Sequence, residues 1–351
     1  MADLGKPEVA TVIPVLNEAD SIVKCLDSLC NQSYPSELHQ IYVFDGGSTD
    51  NTYQIVEGYI NSRENYNPVI HLHENPHKYV ANARNLALKI VPESVEYLLE
   101  MIGHCTVKPN HIETLVMVMQ NLQHLSGNNV GALGTKVIPK SDNLNIVESW
   151  IEAGLSSPLA SGSGQFDQFS GTEETNVPAF SLHLRQAVID VGGWDTTFIT
   201  SQDSDISMRM KNCGYQLYRT STVEVEMAKR SSFRSWAKMG FRYGFWRTRL
   251  VKRHRNRISL REYLPWVGVI LTAILFLFGV KYWYATIVAY SITMLFEAIR
   301  IGYRWRNISL IIGIPVTIVI LHTSFSLGLI FGFIGKPKSF NERESKKGNL
   351  D

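Results

Sequence analysis

Residues 41–52 read IYVFDGGSTDNT, and how this stretch is parsed decides the fold. Ile41 to Phe44 is a run of four apolar residues, which suits a short buried strand. Asp45-Gly46-Gly47 breaks the run, and Ser48-Thr49-Asp50 supplies side chains of the kind that begin helices. The parse is strand, tight turn, helix. In an open α/β sheet, ligands bind beyond the carboxyl ends of the strands, and Asp45 stands at such an end. The two glycines let a ligand approach the backbone closely. A carboxylate there can accept hydrogen bonds from a nucleobase or ribose, or it can do no more than shape its own turn.

Outward from this stretch, strands and helices alternate. Residues 9–15 form an apolar strand containing Pro14, followed by Asn17-Glu18. Residues 20–29 place Ile22, Leu26 and Leu29 on one helical face. Residues 68–72 make a short third strand. Residues 80–90 make a helix with Ala81, Ala83, Leu86, Ala87 and Ile90 inward and Arg84 part-way along. A fourth strand, 95–102, runs into Gly103-His104-Cys105; an amphipathic helix, 112–125, and a fifth strand, 130–138, follow. The alternation favours a parallel, doubly wound α/β sheet.

The chain has 351 residues, enough for one large domain or two smaller ones. Its net charge of +2 hides an asymmetry. Residues 1–228 carry 13 Lys/Arg against 27 Asp/Glu, a balance of −14; residues 229–351 carry 21 against 5, a balance of +16. An acidic body with a basic, apolar tail excludes a nucleic-acid binder and fits a domain held at an anionic membrane surface. Cys25, Cys30, Cys105 and Cys213 have no paired spacing and read as reduced thiols of a cytosolic domain. The opening MADLGKPEVA has no apolar core, so no signal peptide is expected.

Three segments together carry a resemblance: TVIPVLNEADSIVKCLDSLCNQSYP (11–35), VFDGGSTDNT (43–52) and NARNLAL (82–88). In this order and at this spacing they resemble the nucleotide-binding half of an inverting, family-two glycosyltransferase of the GT-A (Rossmann-like) fold, which implies a doubly wound mixed sheet. The resemblance implies a nucleotide-sugar donor, with UDP preferred. It implies that Asp45 binds the base, that Pro14, Asn17 and Glu18 line the nucleotide pocket, and that Arg84 lies near base or diphosphate. Such enzymes carry Asp-x-Asp after the fourth strand to hold a divalent cation, Mn²⁺ or Mg²⁺, on the sugar diphosphate. Here that stretch is Ile102-Gly103-His104. Succinoglycan-type exopolysaccharide glucosyltransferases are similar in having His at the last position, which makes His104 a candidate metal ligand. A cation held weakly, or replaced by cationic side chains, is the alternative.

Residues 141–175 are rich in Ser, Gly, Asn and Gln, with SSPLASGSGQFDQFSG at their centre. The composition fits a flexible linker; its place in the chain suggests a loop over an acceptor site. A strand at 177–182 and a helix at 185–191 follow, then GGWDTTFITSQDSDISMRMKNCGYQLY (192–218). Gln202-Asp203-Ser204-Asp205 opens a helix, where acidic residues suit the N-terminal dipole. Inversion needs one carboxylate to take the acceptor's proton. By the resemblance this base is Asp203, with Gln202 beside it and Trp194 walling the acceptor pocket. Arg209 is expected to pair with an acid on its own helix.

Residues 229–261 hold twelve Lys/Arg and no acid, interleaved with Phe233, Trp236, Phe241, Tyr243, Phe245 and Trp246. That is the composition of an interfacial helix on anionic headgroups. Arg230 is the candidate for a diphosphate or lipid-phosphate contact. The Gln-x-x-Arg-Trp of processive synthases is missing, which speaks against polymerisation. Apolar runs follow at 264–280, 283–296 and 308–334. A span needs about 20 apolar residues, so three membrane helices are expected, although a broken third run would better suit the basic tail.

The expectation is a multi-pass cell-membrane protein: a cytoplasmic catalytic domain over 1–228, basic interface helices over 229–262, a transmembrane region over 263–335 and a polar tail over 336–351. It would transfer a sugar from a nucleotide donor to a lipid-linked saccharide in surface glycan synthesis, with membrane lipids as partners. A polyprenyl-phosphate sugar synthase and a catalytically silent membrane scaffold are the alternatives. No GxGxxG follows the first strand, which speaks against a dinucleotide oxidoreductase.

Overall fold

The structure, a computed structural model, describes residues 6–63, 68–127, 129–140, 144–160 and 169–335. Its strands are β1 (Glu8–Val15), β2 (His39–Asp45), β3 (Val69–Glu74), β4 (Val95–Glu100), β5 (Cys105–Val107), β6 (Val130–Pro139), β7 (Thr172–Glu174), β8 (Leu182–Leu184) and β9 (Gln216–Met227). Its helices are α1 (Ile22–Cys30), α2 (Thr52–Asn61), α3 (Val80–Ile90), α4 (His111–Ser126), α5 (Ile146–Leu155), α6 (Arg185–Asp190), α7 (Gln202–Asn212), α8 (Phe233–Arg253), α9 (Leu260–Leu277), α10 (Ala285–Arg304) and α11 (Leu310–Ile334). The chain forms two compact units. One holds residues 6–139 and 169–228; the other holds 140–160 and 229–335.

The first unit is built on a sheet in the order β3-β2-β1-β4-β8-β6-β9-β5, with β7 beside β9. The pairs β1–β2, β1–β4, β2–β3 and β6–β9 are parallel. Strand β8 is antiparallel to β4 and β6, and β5 and β7 are antiparallel to β9. The sheet is therefore mixed, as the resemblance to the GT-A fold implies, where strand–helix alternation by itself favours a parallel one. Alternate residues of β1 enter opposite cores, because side chains alternate across a strand. Val9, Ile13 and Val15 pack with Ile22, Leu26 and Leu29 of α1 and with Ile112, Leu115 and Met119 of α4. Ala10 and Val12 pack with Ala81, Ala83 and Ala87 of α3 and with Ile206 and Met210 of α7. Fully burying one such Leu or Ile contributes roughly 1.5–3 kcal/mol.

Several boundaries differ from the sequence reading. Residues 48–50 belong to a loop, and α2 begins at Thr52 behind Asn51. The strand expected at 177–182 lies at Leu182–Leu184, because Phe180 takes a left-handed backbone (φ 47°) that no strand accommodates. Strand β9 was not anticipated. Neither was α5, inside the stretch that composition marks as a linker; the Gly/Ser-rich 161–168 at its centre lie outside the described residues. Helix α5 is closed by a capping box, Asn145 accepting from the Glu148 amide and Glu148 from the Asn145 amide.

In the second unit, α8 and α11 run side by side in the same direction. Trp236 Nε1 donates to the Thr317 carbonyl (2.9 Å), Thr248 Oγ1 to the Leu329 carbonyl (2.9 Å) and Arg249 Nη2 to the Gly335 carbonyl (3.2 Å). Small residues permit this closeness. A Cβ on Gly244 would lie 2.1 Å from the Phe325 carbonyl oxygen, and one on Gly328 would lie 2.1 Å from that of Phe241. This is small-xxx-small packing. It leaves Arg234, Lys238 and Arg242, at i, i+4 and i+8, exposed on another face of α8. Helix α5 lies on the first half of α11, with Trp150 over Gly313 and its Nε1 donating to Ser309 Oγ (2.9 Å).

Among the described residues, α10 and α11 are long and apolar enough to cross a membrane. That makes two candidates rather than the expected three. The first apolar run gives a shorter apolar helix, Glu262–Leu277, in α9. The second extends through Glu297 to Arg304, and the third is one continuous helix around Pro315.

Candidate active site

Strands β1, β2 and β4 end at one edge of the first sheet, at Val15, Asp45 and Glu100. Asp45 is 5% exposed. Its Oδ1 accepts from the amides of Gly47 (2.8 Å) and Ser48 (2.9 Å), and its Oδ2 from the Ser48 hydroxyl (2.5 Å). A carboxylate offers about four lone-pair sites, and this loop takes three. Gly47 adopts φ +80°, and a Cβ on Gly46 would sit 2.7 Å from the Lys78 carbonyl oxygen, so each glycine is needed for a different reason.

The loop after β1 is stitched to this one. Asn17, left-handed at φ 57°, accepts from the Thr49 amide through Oδ1 (2.7 Å), and its own amide donates to Ser48 Oγ (2.9 Å). The Glu18 amide donates to Thr52 Oγ1 (2.8 Å), and the Ala19 amide to Asp50 Oδ2 (3.2 Å). Hydrogen bonds from the Thr52 hydroxyl and nearby amides hold the Asp50 carboxyl below its ordinary range. Pro14 is half-buried in β1 opposite Phe44.

His104 follows β4 at the same edge. Its Nδ1 lies 2.7 Å from Glu18 Oε1, with both side chains partly exposed. A Cβ on Gly103 would meet Glu18 Cγ at 2.9 Å. The preceding carbonyl, Ile102, accepts from the thiols of Cys25 (3.4 Å) and Cys105 (2.8 Å). Among the described residues, no three His, Cys, Asp or Glu side chains gather as a ready-made metal site. An imidazole held by a carboxylate is nonetheless a common ligand arrangement. The donor set fits a cation completed by oxygens of a bound diphosphate.

Arg84 and Trp194 lie deeper. Arg84 Nη1 stands 3.0 Å from Glu100 Oε1, which also lies 3.1 Å from His183 Nε2. Arg84 also lies over the Trp194 ring, 5.7 Å from its centre. Trp194 is 3% exposed, and its backbone forms two hydrogen bonds with the Asn85 amide group (2.7 and 2.8 Å). Burial acts to raise the Glu100 carboxyl, but Arg84, His183 and Trp194 outweigh it and hold the group below its ordinary range. Glu100, His183 and Asn85 escaped the sequence reading. The available signal was an acid closing the apolar run Tyr97-Leu98-Leu99.

Helix α7 leads into β9, which runs parallel to β6 and hence to β1, β2 and β4. A helix packed against the strand it precedes runs antiparallel to it. The N-terminus of α7, with Gln202 and Asp203, therefore faces the edge where Asp45 and His104 lie. Asp203 is half-buried and its Oδ1 accepts from the Ser204 amide (2.8 Å). Gln202 Oε1 is buried without a hydrogen-bond partner among the described residues. Asp205 is fully buried and pairs with Arg209 (2.9 Å), the pairing expected within one helix. Arg230 belongs to the second unit and is exposed just before α8.

Residues 11–152 match the model of the family described as Glycosyl transferase family 2. The dolichyl N-acetyl-alpha-D-glucosaminyl phosphate 3-beta-D-2,3-diacetamido-2,3-dideoxy-beta-D-glucuronosyltransferase of Methanococcus voltae is 24% identical over 336 residues, 95% of this chain and 99% of that protein. The succinoglycan biosynthesis protein ExoA of Rhizobium meliloti is 24% identical over 254 residues, 72% of this chain and 73% of that protein. Among solved structures, the mannosyltransferase PcManGT from Pyrobaculum calidifontis, in complex with GDP-Man and Mn²⁺, superposes with a TM-score of 0.60. It is 18% identical, over 90% of this chain and 88% of that one. Residues 11–152 therefore resemble a family 2 glycosyltransferase domain, and the mixed sheet with its strand-edge loops has a GT-A-like fold.

Proposed function

We propose that the protein is a membrane-anchored inverting glycosyltransferase that moves a sugar from a UDP-sugar to a saccharide carried on a lipid. The observation that carries the reading is the shared sheet edge. The Asp45 loop and His104 follow strands that end at one edge, and the direction of α7, argued from the strand order, turns its start toward the same edge. The Methanococcus relative, named for a dolichyl-phosphate-linked acceptor, supports the acceptor class.

In this reading Pro14, Asn17 and Asp45 form the floor and wall of the nucleoside site. Asp45 Oδ2 keeps a lone pair for the base while its other interactions hold the loop in shape. Arg84 acts through Glu100 and the backbone around Trp194, so it positions the site rather than touching the donor. Asp203 accepts the proton of the acceptor hydroxyl as that oxygen attacks the anomeric carbon and the nucleoside diphosphate departs on the opposite face. A divalent cation, when bound, neutralises charge developing on the leaving diphosphate. His104 would be its protein ligand, and Gln202 orients the acceptor beside Asp203. The domain of residues 1–228 lies at the cytoplasmic face. The cations of α8 and Arg230 meet anionic headgroups or the acceptor's phosphate, and the apolar C-terminal helices anchor the chain.

The test is a set of labelled nucleotide sugars incubated with the full-length protein and lipid extracts, with products identified by mass. Transfer to a lipid-linked saccharide, with inverted anomeric configuration, is expected. Binding of neither UDP nor any nucleotide sugar by calorimetry would instead favour a silent scaffold.

A further inference from the structure

Glu18 and His104 come from loops 86 residues apart, yet they meet at 2.7 Å between Oε1 and Nδ1. A carboxylate oxygen accepts, so in this contact Nδ1–H is the donor and Nε2 is the ring nitrogen left for another partner. The local backbone is arranged around this contact. Gly103 is the residue whose lack of a side chain permits it: a Cβ there would sit 2.9 Å from Glu18 Cγ, 3.1 Å from Glu18 Cβ and 3.2 Å from Val15 Cγ1. The Ile102 carbonyl is held by two thiols, and the His104 carbonyl accepts from the Ala228 amide (3.4 Å). The imidazole is therefore fixed from its backbone and from its ring.

We propose that Glu18 is a positioning residue that fixes His104 so that Nε2 is offered as a nitrogen ligand to the divalent cation on the donor's diphosphate. This rests on the nucleotide-sugar reading above. A metal-binding histidine commonly donates its other ring N–H to a carboxylate, which sets both tautomer and ring orientation. One imidazole plus phosphate oxygens is a different donor set from two aspartates. It favours Mn²⁺ or Co²⁺ over Mg²⁺, which prefers oxygen throughout. The described residues gather no three metal-binding side chains, so cation and nucleotide bind together and the cation alone binds poorly.

The experiment uses the full-length protein with UDP and Mn²⁺. Pulsed electron paramagnetic resonance reads ¹⁴N modulation from a coordinated imidazole, and calorimetry measures UDP binding on the same samples. Wild type should show the modulation, and Mn²⁺ should tighten UDP at least about tenfold more than Mg²⁺ does. The modulation should vanish in His104→Ala and fall in Glu18→Ala. It should persist in Glu18→Gln, whose amide oxygen still accepts from Nδ1–H. Gly103→Ala, which keeps both Glu18 and His104 in the chain but crowds Glu18 out of position, should reduce it as Glu18→Ala does. Bound UDP and Mn²⁺ without nitrogen modulation, or undiminished modulation in Glu18→Ala, would overturn this inference alone. Failure of UDP to bind under any condition would overturn the donor reading as well.

Discussion

Arg84 Nη1 lies 3.0 Å from Glu100 Oε1, and both side chains are 7% exposed. The pair ties the middle of α3 to the carboxyl end of β4, and His183 adds a contact from β8. Removing one member strands the other charge in a dry interior. Arg84→Met is expected to cost about 3–5 kcal/mol, the usual loss for breaking a buried ion pair, read from the midpoint of chemical unfolding. The Arg84→Met/Glu100→Met double variant should cost less than the sum of the single changes, because neither charge is then left alone. Additive losses would mean that the two groups are not coupled.

Asp203 should separate chemistry from binding. Asp203→Asn keeps the shape and the acceptor for the Ser204 amide but cannot take a proton. Turnover should fall by roughly 10²–10⁴-fold, with UDP affinity unchanged. If the acceptor nucleophile were a phosphate, already ionised, the loss would be far smaller. Comparing turnover with calorimetric UDP binding distinguishes the two acceptors.

His39 is buried at the start of β2 and bonded to Thr11 Oγ1 at 2.8 Å. Burial pushes its imidazole down to about 3 from an ordinary 6.5. The unfolded chain therefore takes up a proton that the folded chain refuses. The stabilisation is complete above pH 6.5 and is lost progressively as the pH falls toward 3. At about 1.36 kcal/mol per pH unit, acidifying to pH 5 should cost about 2 kcal/mol. His111, pushed down to about 4 mainly by burial, adds in the same direction. His39→Gln should flatten the dependence of the melting temperature on pH between 6.5 and 5. An unchanged slope would count against this account.

The glycines between α8 and α11 allow a controlled comparison. Gly244→Ala must push a Cβ into the Phe325 carbonyl, and overpacking of this kind costs roughly 1–3 kcal/mol. Gly268→Ala, on α9 with nothing within 4 Å of the added carbon, should be neutral, or stabilising by a few tenths to about 1 kcal/mol through helix propensity. Limited proteolysis around residues 229–253 reads the difference.

The first half of the sheet was legible because its signals are local. Val9 to Val15, Ile41 to Phe44 and the alanine face of α3 carry periodicities that burial rewards directly. Periodicity does not carry strand direction, since a period of two is the same in parallel and antiparallel pairs; the resemblance implied a mixed sheet, but that β8 is an antiparallel member had to be seen. Strand β9, QLYRTSTVEVEM, hid behind its alternating polar residues. Asp45 shows how a motif can be located while its work stays ambiguous. Its turn-forming role lies in three hydrogen bonds, and the remaining lone pair is what a base could use. Arg84 reads from the sequence as a neighbour of base or diphosphate, and Trp194 as a wall of an acceptor pocket. Their partners, Glu100 and Asn85, sit elsewhere in the chain, and only the fold brings them together. The glycine seam of α8 was overshadowed by its many cations.

Helix α5 has a practical corollary. It is encoded between β6 and β7, yet its apolar side chains, among them Ile151, Leu155 and Trp150, are covered by α8 and α11. A shortened chain ending at residue 228 would keep α5 and lose its cover, leaving a bare, sticky helix on an otherwise acidic protein. A well-behaved water-soluble fragment therefore needs two cuts: one at the carboxyl side of the catalytic sheet, and one that excises the helix spliced into its middle.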